Sequence, residues 1–138
     1  MFDKWVKKIR NEEIEPLHKT CFLLIRKSDN KIIGMSNIRL QQDLGDYPFG
    51  HVGYWIRPTE RGKGYGNIQF YLDLLILREN NIKTCIMSCY TSNEISKKII
   101  SNQFQGKFVK QIDDEEYYSI NVNSVLRIKK DKFDKYVV

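Results

Sequence analysis

The stretch Gly50–Asn67, "GHVGYWIRPTERGKGYGN", decides how the rest of the chain is read. It begins as a β segment, "HVGYWI" (His51–Ile56), rich in β-branched and aromatic residues. Pro58 closes that run, and Gly62, Gly64 and Gly66 follow with Arg61 and Lys63 interleaved. Glycine weakens regular structure unless the backbone itself has a task. A loop between a strand and a helix start has one, because the first helical N–H groups lack intrahelical acceptors and the helix dipole adds partial positive charge. Such a loop is a natural anion site.

The residues after it supply the helix. "IQFYLDLLILREN" (Ile68–Asn80) places Ile68, Leu72, Leu75 and Ile76 on one stripe, widened by Leu74 and Leu77, which predicts a largely buried helix. Upstream, "CFLLIRK" (Cys21–Lys27), the turn "SDNK" and "KIIGMSNIRL" predict a hairpin. Downstream, "KTCIMSCY" (Lys83–Tyr90) predicts a strand. "SNEISKKIISNQ" predicts a helix opened by Ser92, Asn93 and Glu94. "GKFVKQI" and "YYSINVNSVLRI" predict two closing strands around the turn "DDEE". "FDKWVKKI" near the start has the spacing of a short amphipathic helix. The resulting order, β-β-β-α-β-α-β-β, is a mixed α/β (α+β) sheet in one domain over residues 1–138.

Composition narrows the function. With 138 residues and 41% apolar content the chain suits one domain with a core of its own. No run is long and apolar enough to cross a bilayer, and the charged start lacks a signal-peptide core, so a cytoplasmic protein is expected. Cys21, Cys85 and Cys89 are odd in number and loosely spaced, which argues against a disulfide framework. Cys85 and Cys89 should share one strand face as small packing residues. His18 and His51 form no ligand pair, so no metal is expected. The net charge of +6 is compatible with nucleic acid, an anionic small molecule or mere solubility, and because the basic residues are scattered and carry no nucleic-acid motif, nucleic acid is the least expected of these.

Three phosphate-loop patterns can be compared with "RGKGYG". The segment lacks the G-x-x-x-x-G-K-[ST] of a Walker loop and the G-x-G-x-x-G of a dinucleotide fingerprint. It fits R-x-x-G-x-G through Arg61, Gly64 and Gly66, and "SNEISKKII" follows with Asn93 and Ser96 as N-x-x-S. Together these resemble the coenzyme A segment of the GNAT superfamily of N-acetyltransferases, over roughly Cys21 to Val109. The resemblance implies a mostly antiparallel sheet with flanking helices, in which two central parallel strands, "HVGYWIR" and "KTCIMSCY", splay apart to admit the pantetheine arm. It implies backbone contacts to acetyl-CoA from Ile56 and Arg57. It also implies a pyrophosphate cradle of Arg61, Gly62, Lys63, Gly64, Tyr65, Gly66 and Asn67, with Asn93 and Ser96 near the cofactor.

The implied activity is acetyl transfer from acetyl-CoA to a primary amine of a small molecule or protein. His51 lies near the strand position where related enzymes carry an acidic base, and imidazole suits that task near neutral pH, so His51 is the candidate base. Glu60 is expected to be solvent-exposed or a local cap. The helix after Asn93 reads "KKIIS" where relatives carry a tyrosine acid, leaving Tyr54, Tyr90, Tyr117 and Tyr118 as substitutes. The usual first strand and most of the first helices of the family are expected to be missing, which favours a homodimer that covers a sheet edge. The alternative reading is a CoA-binding or interaction module with weak or no turnover.

Overall fold

The computed structural model describes residues 19–47 and 50–136, so the predicted helix "FDKWVKKI" lies outside the described residues. β1 (Lys19–Arg26) and β2 (Lys31–Arg39) form the expected hairpin. Its turn places Asn30 at φ 55°, a left-handed value that asparagine tolerates. β3 (Val52–Ile56), a single 3₁₀ turn (Pro58–Glu60) and α1 (Tyr65–Glu79) come next. Then follow β4 (Thr84–Tyr90), α2 (Glu94–Lys98) running into a π turn (Ile99–Gln103), β5 (Lys107–Ile112), β6 (Glu115–Asn121) and α3 (Val122–Phe133). The six strands form one sheet in the order β1-β2-β3-β4-β6-β5, antiparallel throughout except for β3 beside β4.

The predicted order holds up to β6 and then departs from expectation. "YYSINVNSVLRI" is not one strand: it turns helical at Val122. Asn121 Oδ1 accepts the Ser124 N–H at 3.0 Å, a side-chain cap that starts α3. Val122, Val125, Leu126 and Phe133 then fall on the buried side of that helix. These apolar residues repeat at helical rather than alternating spacing, and tertiary burial outweighs the β propensity of the two valines. α3 lies against α1, where the Tyr71 and Phe133 rings meet with centroids 5.3 Å apart.

α1 begins three residues earlier than its apolar pattern suggested. The centre of its buried face also shifts, to Phe70, Tyr71, Leu74 and Leu77, while Ile68, Leu72, Leu75 and Ile76 are half-buried at its flanks. Its far end is closed by Asn80, whose Nδ2 donates to the Ile76 carbonyl at 2.8 Å. α1, α3 and the π turn that follows α2 share one core against one face of the sheet, with Ile38, Val52, Cys85, Met87 and Ile120 inside it. Cys85 and Cys89 lie on that face as expected, both as buried free thiols. On the opposite face, loop 40–47 lays Leu44 over Ile86 and Tyr117. Among the described residues no helix is long and apolar enough to cross a membrane.

Candidate functional site

The parallel pair β3–β4 is joined at a single register point, Val52 beside Met87. Just before it, Gly50 turns at φ 74° and meets the β4 backbone so closely that a Cβ would collide with the Ile86 carbonyl. Only glycine satisfies both demands. His51 completes the clasp. Its backbone N–H donates to Ile86 O at 2.7 Å, its Nδ1 accepts the Ile86 N–H at 2.9 Å, and its Nε2 lies 2.9 Å from Gln41 O. These partners require the tautomer with the proton on Nε2. His51 is 2% exposed, and burial lowers its pKa below the usual histidine value. In this arrangement neither ring nitrogen has a lone pair free for an amine proton. The ring holds the fork closed at its root.

Beyond Val52 and Met87 the strands diverge. β3 stays paired to β2, with Arg39 N donating to His51 O and Arg57 N donating to Ile33 O. That alternation turns the N–H and C=O of Tyr54 and Ile56 toward the gap left by β4. Arg57 is different: its carbonyl also accepts the Glu60 N–H, and its Nε donates to Ile32 O. Of the two residues expected to offer backbone contacts, Ile56 therefore faces the fork, whereas the Arg57 N–H and C=O are both engaged within the protein.

Because β3 and β4 run parallel, the segments that follow them emerge at the same end of the fork. The glycine loop arrives from β3. Gly62 (φ 77°) and Gly64 (φ 86°) take left-handed backbone conformations, and a Cβ at either would find no atom within 4 Å. Gly64 precedes α1 with no side-chain cap, so the N–H groups of Tyr65, Gly66 and Asn67 point out of the helix without intrahelical acceptors. Asn67 Oδ1 is buried without a partner. The other arm arrives from β4. Asn93 caps α2, its Oδ1 accepting the Ser96 N–H at 3.1 Å. The two arms converge around Tyr54, because the Gly66 Cβ position lies 3.7 Å from the Tyr54 ring and 3.8 Å from Ile99 Cδ1.

The charges around the loop are already organised. Arg61 folds back: its Nε donates to Ile56 O at 3.1 Å and its guanidinium lies 4.6 Å from the centre of the Trp55 ring. Glu60 corrects the sequence expectation of an exposed residue or local cap. It is 3% exposed and meets Arg26 at 2.9 Å, Lys31 at 3.1 Å and Lys63 at 3.0 Å. Lys63 first, then Lys31 and Arg26, hold its carboxyl down to about 2. Arg26 also donates to Tyr65 Oη at 3.3 Å. The phosphate-type loop is thus anchored to the hairpin through one carboxylate, with three cations gathered beside it. Sequence reasoning missed this anchor because Arg26 stands 34 residues before Glu60.

Glu60→Gln keeps the side-chain shape and removes the charge. Loss of the ionic anchor is expected to loosen the loop and weaken acetyl-CoA binding by about tenfold, the scale of one partly screened ionic contact. Titration calorimetry checks this, and an unchanged affinity would show that the loop holds its own conformation.

Residues 1–103 match the family model described as "Acetyltransferase (GNAT) domain". No curated protein sequence matches the chain significantly. Among solved structures, the chain is similar to mutant forms of the spermidine/spermine N-acetyltransferase SpeG from Vibrio cholerae. That likeness has 13% identity and a TM-score of 0.67, and covers 94% of this chain and 78% of that one. It is also similar to the ribosomal-protein-S5-alanine acetyltransferase from Vibrio fischeri, at 22% identity and TM-score 0.57, over 86% of this chain and 67% of that one. A putative acetyltransferase from Salmonella typhimurium, solved with its cofactor acetyl-CoA, aligns at 11% identity and TM-score 0.55, over 66% of this chain and 58% of that one. At such identities the likeness is one of fold.

Proposed function

Because the chain belongs to the GNAT acetyltransferase family, we propose that it is an N-acetyltransferase that passes the acetyl group of acetyl-CoA to a primary amine of a small molecule or protein. The observation that carries this reading is the uncapped start of α1 at the open end of the β3–β4 fork. A diphosphate there would meet the N–H groups from Gly62 to Asn67, each charge-assisted bond contributing roughly 1.5–3 kcal/mol. Lys63 lies beside that cradle, and Arg61 can reach it by leaving the Ile56 carbonyl. The pantetheine arm would run between β3 and β4 along the backbone of Tyr54 and Ile56, with Asn93 and Ser96 as the further expected contacts. A related fold carries acetyl-CoA, which supports the same donor here.

Aminolysis of a thioester needs three things from the chain. A proton must leave the attacking ammonium, the tetrahedral oxyanion needs an N–H donor, and the departing thiolate needs a proton. The strand edge of β3 offers the donor. In this proposal His51 positions the fork rather than takes the proton, since proton transfer to its ring would require the clasp to Ile86 and Gln41 to open.

A second reading, a CoA-binding module with little turnover, is favoured by Ile100. With Ile99 it lies in the segment "KKIIS", where the resemblance expects a tyrosine acid, and it is fully buried in the core. Calorimetry with acetyl-CoA tests the shared part: absence of binding at millimolar cofactor would remove both readings. Thiol release in the presence of varied amines separates them, and turnover would leave the transferase alone.

A further inference from the structure

Near the turn of the β1–β2 hairpin, a cavity of about 300 Å³ lies between β1, α1 and the 3₁₀ turn Asp134–Tyr136 that follows α3. α1 supplies Tyr65, Ile68 and Leu72, whose spacing of three and four residues puts them on one helix face. All three are only half-buried. β1 supplies Leu24, and β2 supplies Ile33. Ile33 reaches this side through an irregularity in the strand pairing. Leu24 stands opposite Gly34 and Ile25 opposite Ile32, so Ile33 is the extra residue of a β-bulge. Gly34 already faces α1, since a Cβ there would strike Gln69. A regular strand would send Ile33 to the other face of the sheet. The bulge turns it to the cavity instead, where it is fully buried.

The walls carry charge of one sign. Arg26, Lys27 and Lys135 are the charged residues on them, and none of the lining residues is acidic. Arg26 is engaged by Asp29 and Glu60. Lys27 and Lys135 are exposed and have no acidic partner among the described residues. They come from separate elements, one just after β1 and the other beside Tyr136, so an anion at the mouth can meet both. An apolar interior with cations at its rim selects an amphipathic anion. The volume lies at the small end of ligand sites, which limits the apolar part to a single alkyl chain. Tyr65 joins this cavity to the glycine loop. Its side chain lines the cavity, its Oη accepts from Arg26, and its N–H belongs to the uncapped start of α1. Arg26 in turn holds Glu60, the anchor of the loop.

We propose that this cavity binds a free monocarboxylate with a medium-length alkyl chain, and that its occupancy strengthens acetyl-CoA binding at the loop. The carboxylate lies between Lys27 and Lys135, and the chain lies against Ile33, Ile68 and Leu72. Covering the half-buried side chains of α1 supplies most of the affinity, and the two lysines fix the polarity of the ligand. A chain packed on Tyr65 also steadies the first turn of α1, so less ordering is left for the cofactor to impose. The coupling, unlike the site, rests on the acetyl-transfer reading above.

Calorimetry on the full chain with octanoate reads the site without turnover. Octanoate should bind at millimolar concentration or better. Hexanoate, shorter by two methylenes, should bind about tenfold more weakly. Octylamine, equal in length and opposite in charge, should also lose about tenfold or more. The double variant Lys27→Gln, Lys135→Gln should bind octanoate about tenfold more weakly, and because both lysines are exposed the fold should not change. Absence of octanoate binding, equal binding of octylamine, or wild-type affinity in the double variant overturns the site. Titration of acetyl-CoA at saturating octanoate then reads the coupling. Its affinity should rise about fivefold, and acetyl-CoA should raise octanoate affinity by the same factor. Unchanged affinity in both directions overturns the coupling. Should acetyl-CoA fail to bind at all, the coupling falls with the transferase reading, and the octanoate titration still decides the cavity.

Discussion

Gly64→Glu is expected to abolish measurable acetyl-CoA binding while the chain remains folded. The native φ of 86° lies in the left-handed region, so any side chain there costs about 1–2 kcal/mol in backbone strain. A Cβ would meet no protein atom within 4 Å, so no clash adds to that cost. The new side chain would project into the space where the diphosphate should lie. Its carboxylate would also sit at the positive end of α1 and take the N–H groups of Tyr65, Gly66 and Asn67 for itself. Loss of two charge-assisted bonds, together about 3 kcal/mol or more, corresponds to a drop of 100-fold or greater in affinity. Gly64→Ala separates the two effects, since it carries the strain without the charge and should bind with a smaller loss. Titration calorimetry on both variants, with circular dichroism to confirm the fold, decides the matter. Native affinity in the glutamate variant would place the cofactor elsewhere.

What the sequence disclosed follows from the range of each interaction. The glycine loop was readable because its demands are local: a proline, positive φ values and a helix start lie within a few residues. The hairpin and β3 were readable from alternation and turn chemistry. α3 was not, although Asn121 and Ser124 repeat the N-x-x-S spacing of Asn93 and Ser96. Two valines and an isoleucine outweighed that cap in a reading by propensity. The Glu60 anchor depends on residues brought together by strand pairing. Arg26 reaches Glu60 only through the β1–β2–β3 order. His51 was noticed as a titratable group in a suggestive place. Its partners, Ile86 and Gln41, are backbone groups that no sequence pattern announces.

Asp73 carries the second large expected effect, on stability rather than binding. It interrupts the apolar run "FYLDLLIL" and lies 2% exposed between α1 and β2. Ser36 donates to Asp73 Oδ2 at 2.7 Å, and Gln69 Nε2 donates to Ser36 Oγ at 2.6 Å. Ser36 and Gln69 are buried as well. Among the described residues no cation offsets a charge on this carboxylate, and burial pushes its pKa up to about 8 against the weaker opposing effect of the Ser36 hydrogen bond. Near neutral pH Asp73 is therefore a protonated acid in the folded chain.

The sign follows from linkage. The unfolded carboxyl titrates near its ordinary value of 3.8, so folding takes up a proton between there and about 8. Stability is greatest on the acid side of that range, falls as pH rises, and levels off above about 8. His51 acts on the other side: its pKa is lowered from 6.5, so its contribution is complete above 6.5 and is lost as pH falls below it. The interval from pH 6.5 to 8 thus isolates Asp73. Over it, wild type should lose about 2 kcal/mol, a fall of roughly 6 °C in Tm for a chain of this size. Asp73→Asn keeps an acceptor for Ser36 and has no proton to lose. Its melting temperature should stay level across the interval and exceed that of wild type at pH 8.5. An equal slope in the two proteins would mean that another group titrates and that the core holds Asp73 ionised.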